Sequence, residues 1–355
     1  MPPCSIAWAL IPTTSAISTA VWIRSWWVWK GLTPSGRSWS DQSLAMPFHC
    51  DVLGLGCLAV DELLVLPHFP SPDTKTRLIS RDRQGGGLTG NALVAAARQG
   101  ARCAYAGPLG TDADSTFLRE LFTHEGVDLS WSRTSRQASP IRSTILVDQS
   151  GDTRTILFDL AGSVGCPDDW PPEEVITAAR VLFVDHYGIE GMTRAALIAR
   201  AAGIPVVADL ERNEWPGFDK LLALVDHLIV THAFATRLTG ETNPVRAVGK
   251  LWAGDREVVV VTCGAQGCHY QDRLADRVRH VPAFAVEVVD TTGCGDAFHG
   301  SYAADLATGL PLGQRLVRAS ATAALKAAHL GAQRGLPTRA QVDAFMIERR
   351  GRSSP

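Results

Sequence analysis

The alternation of apolar and polar positions is most regular in the second half of the chain. From about residue 175 onward, short apolar runs alternate with helical segments. The predicted strands are 181–184, 206–208, 227–230 and 258–262, and the predicted helices are 192–202, 218–225 and 245–252. Strands that alternate with helices require right-handed crossovers between parallel strands. The predicted fold class is therefore α/β, with a doubly wound, mainly parallel sheet flanked by helices.

The first half of the chain carries strand signals of a different kind. A compact apolar run with glycines, 52–60, is predicted to be a buried strand that ends at Asp61. Four short β-prone runs predict two hairpins, 63–66 with 77–83 and 141–147 with 153–159. Asp61 is either an ordinary turn residue or a ligand-binding one, because α/β sheets bind ligands at the carboxyl ends of their strands.

The loop 290–296 lies between a β-prone run, 284–289, which is predicted to be a strand, and an Ala-rich helical run, 297–308. Gly293 and Gly295 allow the backbone to turn its N–H groups inward. The helix start adds N–H donors and a partial positive charge, so the loop is predicted to be an anion hole. Asp296, in the first turn of this helix, is either a helix cap or a general base that takes a proton from an attacking alcohol.

Composition excludes several classes of function. The formal net charge of the 355 residues is −2, which gives no electrostatic reason to expect nucleic acid or an anionic membrane as a partner. The eight cysteines are scattered and form no C-x-x-C pair, so we expect a reducing cytoplasmic location, with no disulfide framework and no zinc site. The Walker phosphate-binding pattern is absent, which leaves phosphate binding to the loop 290–296.

The first 45 residues differ from the rest of the chain. They hold six of the ten tryptophans, and their apolar stretch is interrupted by polar residues and is short for a membrane span. Our preferred interpretation is that residues 1–45 form an extension outside the domain, from a misassigned start before Met46. A poorly ordered tail and a membrane anchor are the alternatives.

The motif Asp-Thr-x-Gly-x-Gly-Asp at 290–296 resembles the carboxyl-terminal signature of the ribokinase-like (PfkB) carbohydrate kinases. Cys294 stands where that family most often has Ala. The Gly-rich segment 85–91, which is predicted to open a helix over 92–99, resembles the family's first signature, Gly-Gly-x-x-x-Asn. The resemblance extends over roughly 50–344. It implies a ribokinase-like kinase domain at 46–350, with a small β-sheet lid drawn from about 62–84 and 140–160. The ketohexokinase-like subgroup is a candidate within the family.

The resemblance also implies roles for particular residues. The sugar-binding residues would be Asp61, Gly86, Gly87 and Asn91. The nucleotide would lie against Thr262, Gly264, Gly267 and Thr291. The transferred phosphoryl group would meet the backbone N–H groups of Gly293, Cys294 and Gly295, with Asp296 as general base. ATP and Mg²⁺ are the implied cofactors, with K⁺ possible at Asp290, and a homodimer formed through the lid is expected.

The sequence departs from the family pattern at one motif. Many members carry Asn-x-x-Glu, which helps to organise Mg²⁺, where this chain has Thr231 and Phe234. Either Asp209 or Glu211 takes over that task, or the nucleotide holds Mg²⁺.

The function predicted is ATP-dependent phosphorylation of a hydroxymethyl group on a small sugar or sugar derivative. A nucleoside kinase and a non-catalytic sugar sensor of the same fold are the alternatives. Lys326 and His329 could approach the nucleotide, but a solvated helix face is the favoured interpretation of both.

Overall fold

A computed structural model describes residues 50–151, 153–274 and 277–351. The strands are β1 (Cys50–Gly54), β2 (Ala59–Leu66), β3 (Ser80–Gly86), β4 (Cys103–Tyr105), β5 (Pro108–Leu109), β6 (Val127–Asp128), β7 (Arg133–Thr134), β8 (Ile141–Asp148), β9 (Thr153–Asp159), β10 (Ala179–Val184), β11 (Val206–Asp209), β12 (His227–Thr231), β13 (Val258–Thr262), β14 (Cys268–Asp272) and β15 (Arg279–Val281). The interpretation of residues 1–45 as an extension concerns a segment outside the described residues.

The helices follow the predicted alternation with the strands. They are α1 (Leu88–Arg98), α2 (Ala113–His124), α3 (Glu173–Thr177), α4 (Ile189–Ala201), α5 (Phe218–Leu224), α6 (His232–Thr239), α7 (Pro244–Leu251), α8 (Cys294–Ala307), α9 (Leu312–Ala327) and α10 (Arg339–Gly351), with a 3₁₀ turn at Gly264–Gln266. None of the helices in the described ranges is long and apolar enough to cross a membrane.

The main sheet has nine strands in the order β15-β14-β13-β12-β11-β10-β1-β4-β6. Every pair from β13 to β6 is parallel, and β14 and β15 add an antiparallel edge. The central strands are almost fully buried, as expected for a parallel sheet covered on both faces. The predicted doubly wound, mainly parallel α/β fold is confirmed. Helix α8 packs between α1 and α9 and lies against β1, β10 and β11.

The second sheet has four strands in the order β3-β2-β8-β9. Both predicted hairpins form, since β2 pairs antiparallel with β3 and β8 with β9. A parallel pairing of β2 with β8 joins them into one sheet. The edge strand β9 is exposed along its whole length. We refer to this four-stranded sheet as the lid sheet.

Two predicted strands are wrong. The run 52–60 is not one strand, because the chain leaves the main sheet after Gly54 and enters the lid sheet at Ala59. The connecting residues 55–58 contact the buried Asp185 carboxylate, which accepts a hydrogen bond of 2.7 Å from the backbone N–H of Cys57. Asp61 therefore lies within β2 of the lid sheet and not at the end of a core strand. The run 284–289 forms no strand either, and its last residues are exposed.

Candidate active site

The loop 290–296 leads into α8 as the glycine pattern predicts. Gly293 has a φ of 77°, a left-handed conformation that favours glycine, and α8 begins at the next residue. A Cβ at Gly295 would meet nothing within 4 Å, so the backbone is open at this point. The N–H of Cys294 donates to the carbonyl of Thr291 at 3.2 Å and closes the turn. The start of α8 thus combines an open glycine backbone with the positive end of a 14-residue helix.

Asp296 lies buried in the first turn of α8, beside the glycine-rich start of α1. The side-chain amide of Asn91 donates a 2.6 Å hydrogen bond to its Oδ2 atom. Burial, followed by the nearby Asp209 carboxylate, raises the pKa of Asp296 well above its usual value. A carboxyl group with a raised pKa binds protons more strongly, which suits a group that takes a proton from a sugar hydroxyl. Helix α1 begins at Leu88, so Asn91 lies one turn inside it and does not cap it.

A histidine that sequence reasoning missed supports this helix turn. His299 Nδ1 lies 2.8 Å from the carbonyl of Gly295 and 3.2 Å from Asp209 Oδ2, while Nε2 lies 3.0 Å from the carbonyl of Ile229. The ring therefore ties the first turn of α8 to β11 and β12. Its position four residues after Gly295 was visible in the sequence, but its two strand partners are distant along the chain.

The residues predicted to bind the sugar are grouped at the base of the lid sheet. Asp61 is buried, and a Cβ at Gly86 would lie only 2.2 Å from its Oδ2 atom, so this carboxylate requires glycine at position 86. Burial raises the pKa of Asp61 to about 6, partly offset by a hydrogen bond from Ser143. Gly87 has a φ of 87° and precedes α1, which carries Asn91. The Oδ1 atom of Asn91 is buried without a hydrogen-bond partner and is available to a ligand.

The residues predicted to bind the nucleotide follow β13 and precede α8. Thr262 is the last residue of β13, and the 3₁₀ turn begins at Gly264. Gly267 has a φ of 84° and is packed so closely that a Cβ would lie 2.0 Å from the carbonyl of Val281. A Cβ at Gly264 would meet nothing within 4 Å, so this turn has a free surface. The parallel strands β11, β12 and β13 all end at the edge of the sheet where Asp209 contacts His299, beside the start of α8.

The lid sheet reaches the loop 290–296 through Arg154. Its Nη1 atom donates a 2.6 Å hydrogen bond to Thr291 Oγ1. Arg154 lies on the exposed strand β9, far along the chain from Thr291. No local pattern predicted this pairing, which brings a cation from the lid sheet to the proposed phosphate-binding loop.

The positions that depart from the family's magnesium motif have structural roles. Thr231 caps α6, its Oγ1 accepting a 3.2 Å hydrogen bond from the N–H of Phe234, and the Phe234 ring is buried against Phe218. Asp209 is buried against His299, and Glu211 is exposed. Within residues 50–151, 153–274 and 277–351, no group of three or more histidine, cysteine or carboxylate side chains is arranged to hold a metal ion. Thr231 and Phe234 thus offer no carboxylate to a cation at the positions of that motif.

Lys326 occupies the surroundings of Asp290, where the resemblance implied K⁺. The interpretation of Lys326 as part of a solvated helix face is wrong, because its side chain is 0% exposed. Its Nζ atom donates to the carbonyl of Asp290 at 2.8 Å and to that of His329 at 3.1 Å. These contacts do not fit K⁺ at Asp290, since an ammonium group already uses the oxygens that would bind it.

Residues 58–339 match the family model described as pfkB family carbohydrate kinase, so the chain belongs to that family. The members of this family are phosphotransferases that act on a hydroxyl group, and the chain is an enzyme of this class. The chain is 28% identical to the ribokinase of Haemophilus influenzae over 302 residues, which cover 82% of this chain and 97% of the relative.

Two further comparisons extend this result. The chain is 30% identical to a fructokinase of Klebsiella pneumoniae over 292 residues, 75% of this chain and 92% of the relative. A solved structure of Arabidopsis thaliana ribokinase complexed with ribose and ATP superposes with a TM-score of 0.73 at 22% identity, covering 85% of this chain and 99% of that one. The family resemblance and the ribokinase-like fold predicted from the signatures are confirmed.

Proposed function

We propose that the chain catalyses ATP-dependent phosphorylation of a hydroxymethyl group on a small sugar or sugar derivative, with Asp296 as the general base. One observation carries the proposal. The Asp296 carboxylate stands in the first turn of α8 and is held by Asn91 from the helix that follows the Gly86–Gly87 turn. This position supports Asp296 as the base that acts between the helix start and the proposed sugar site.

The proposed reaction is an in-line transfer. Asp296 accepts the proton of the attacking hydroxyl as its oxygen bonds to the terminal phosphorus of ATP, while the bond from that phosphorus to the bridging oxygen breaks and ADP leaves. The N–H groups of Gly293 and Gly295 and the positive end of α8 stabilise charge on the transferred oxygens, with the Cys294 N–H shared with the turn. Because Asp296 is buried, its proton acceptance takes place away from bulk water.

The sugar is oriented by residues of the lid base and of α1. Asp61 offers two acceptor oxygens to neighbouring hydroxyls, and the backbone at Gly86 and Gly87 allows close approach. The unpartnered Oδ1 of Asn91 accepts from a further hydroxyl. Relatives named ribokinase and fructokinase make a pentose and a ketohexose the first sugars to test.

ATP is proposed to lie along Thr262, Gly264, Gly267 and Thr291, with its terminal phosphate at the start of α8. The ribose and ATP named for the Arabidopsis ribokinase support this pair of ligands. Mg²⁺ would be held mainly by the phosphates of ATP and would neutralise part of their charge. Arg154 adds a positive charge beside Thr291.

The experiment that tests this function is a thermal-shift screen followed by a rate assay. Ribose, fructose and a nucleoside are each tested with and without a non-hydrolysable ATP analogue, and every stabilising compound is then assayed for phosphoryl transfer. We expect a sugar to raise the melting temperature and to be phosphorylated. Phosphorylation of a nucleoside alone would favour the nucleoside kinase. Sugar binding without any transfer would favour the sensor.

We also propose that the chain forms a homodimer through the lid sheet. Edge strands with exposed apolar side chains pair readily with another chain. On β9, Ile156, Leu157 and Phe158 are 47%, 56% and 44% exposed. We expect light scattering to show a dimer that Leu157→Lys converts to a monomer, and a monomeric wild type would refute the proposal.

A cytoplasmic location is proposed on the chemistry of the thiols. All seven cysteines in the described ranges are free. Buried free thiols are typical of proteins kept in a reducing compartment.

A further inference from the structure

Lys326 is buried in a way that few lysines are. It lies in the last turn of α9 with a side chain that is 0% exposed, whereas lysine normally keeps its ammonium group in water. Burial of a charged group is costly unless the group is paired and hydrogen-bonded. The contacts of the Nζ atom must therefore compensate for lost hydration.

Within the described part of the chain, the polar contacts of this ammonium group are all made by oxygen atoms. Two are the backbone carbonyls of Asp290 and His329, at 2.8 and 3.1 Å, and the third is Asp290 Oδ2 at 3.8 Å. Backbone carbonyl and carboxylate oxygens are also the ligands that hard cations such as K⁺ take. The surroundings of Nζ thus have the chemistry of a monovalent cation site.

These contacts converge on the first residue of the phosphate-binding loop. Asp290 Oδ1 accepts from the N–H and the hydroxyl of Thr292 at 2.8 and 2.7 Å, and Oδ2 accepts from the N–H of Gly331 at 2.8 Å. The N–H groups of Val289 and Asp290 donate to the carbonyl of Ala327. The positive charge of Lys326 therefore lies where hydrogen bonds join the start of the loop 290–296 to the end of α9.

We propose that the Lys326 ammonium group takes the place of a monovalent cation beneath the loop 290–296, so that the enzyme holds this loop in its active geometry without K⁺. The proposal rests on the proposed kinase function for its activity measurements alone. The pairing of the Lys326 ammonium group with the Asp290 carboxylate agrees with the direction in which the pKa of Asp290 is shifted. Burial would raise the pKa of Asp290, but the bonds from Thr292 and the Lys326 charge outweigh it and keep that pKa below its usual value.

The test compares the wild type with two variants. Lys326→Ala removes the ammonium group and leaves space for a small cation, while Lys326→Met removes the charge but keeps most of the side-chain volume. Phosphoryl transfer and melting temperature are measured in tetramethylammonium buffer, with and without added K⁺, NH₄⁺ or methylammonium. The wild type should be equally active in all of these buffers.

Lys326→Ala should lose roughly 10²-fold in kcat, because the loop 290–296 would no longer be held with its N–H groups in position, and the loss of one such donor to a transition state costs about that much. K⁺, NH₄⁺ or methylammonium should restore most of that loss and raise the melting temperature of this variant. Lys326→Met should show the loss without the restoration, because its side chain fills the site.

Lys250→Ala is the matched control. Lys250 Nζ also contacts a backbone carbonyl, that of Thr239, and a carboxylate, that of Glu241, but it is exposed and distant from the loop. This variant should show neither the loss of activity nor any dependence on cations.

Three results would overturn the proposal: a wild type that K⁺ activates several-fold, a Lys326→Ala variant with full activity in tetramethylammonium, or a Lys326→Ala variant that no cation restores. If no sugar is phosphorylated, the melting temperatures still decide the question, since only Lys326→Ala should be stabilised by K⁺ or NH₄⁺. If Lys326→Ala does not fold, the K⁺ independence of the wild type and the loss in Lys326→Met remain as tests.

Discussion

Asp61 should make the free protein less stable at neutral pH because its carboxylate is buried. Its pKa rises from 3.8 to about 6 on folding, mainly through burial. The stabilisation that comes from the neutral carboxyl is therefore present at low pH and is lost as the pH rises through about 6. At pH 8 the shift of about two pKa units corresponds to roughly 3 kcal/mol, at about 1.36 kcal/mol per unit.

Asp61→Asn keeps the shape of the side chain and removes its charge. We expect the free energy of unfolding of this variant to exceed that of the wild type by about 3 kcal/mol at pH 8, and by roughly half as much near pH 5. Urea unfolding at the two pH values measures the difference. The same variant should bind the sugar about tenfold less tightly or worse, since charge-assisted hydrogen bonds contribute about 1.5–3 kcal/mol each.

The control is Asp159→Asn, which removes an exposed carboxylate at the end of β9 in the same lid sheet. This variant should differ little from the wild type at either pH. Equal stability of Asp61→Asn and the wild type at both pH values would refute the reasoning about burial. Calorimetry should show ATP affinity nearly unchanged in Asp61→Asn, and an equal loss for both ligands would indicate a folding defect instead of a sugar contact.

Three other changes test the rest of the picture. Asp296→Asn should lower turnover by about 10²–10⁴-fold with ATP affinity little changed. The control is Asp219→Asn, which changes an exposed acid in the first turn of α5 and should not lower turnover. Turnover of Asp296→Asn within twofold of wild type would remove this residue from the mechanism. A chain that begins at Met46 should melt at the temperature of the full chain, and a large drop or insolubility would show that residues 1–45 pack on the domain. Arg154→Ala should lower kcat/KM for ATP by about tenfold, the value of one good hydrogen bond, and an unchanged kcat/KM would contradict the contact with Thr291.

Local chemistry made the start of α8 predictable from the sequence. The left-handed conformation of Gly293 and the helix that begins at Cys294 are what a Gly-x-Gly-Asp segment before an Ala-rich run indicates. The alternation of strands and helices from β10 to β13 was predictable for the same reason, since these elements are specified by their own runs of residues, whereas α6, β14 and β15 were not predicted. The predicted roles of the site residues remain predictions.

The break between β1 and β2 was not predictable from the hydrophobic pattern. A Cβ at Gly56 would lie 1.9 Å from Asp185 Oδ2, and the same carboxylate accepts from Thr89 Oγ1 at 2.9 Å. Along the chain, Asp185 is 128 residues from Cys57 and 96 residues from Thr89, so no local window of the sequence contains both partners of either contact. The run 284–289 is β-prone, but it is part of none of the three sheets in the described residues, so its local propensity did not decide its structure.

The carboxylates of the site separate into two groups according to what neutralises them. Asp61 and Asp296 are buried with raised pKa values, and each faces a place proposed for a sugar hydroxyl. Asp290 has a lowered pKa because the protein supplies its partners, Thr292 and Lys326. A buried carboxylate that is short of donors is costly in the free enzyme and is a strong acceptor for a hydroxyl, so the same burial that lowers stability provides affinity for the sugar. Asp290, the carboxylate whose hydrogen bonds hold the loop 290–296 in place, must instead have its donors supplied by the protein. It must stay ionised and bound whether or not a substrate is present, and a lysine fixed in the fold meets that need more reliably than an ion that exchanges with solvent.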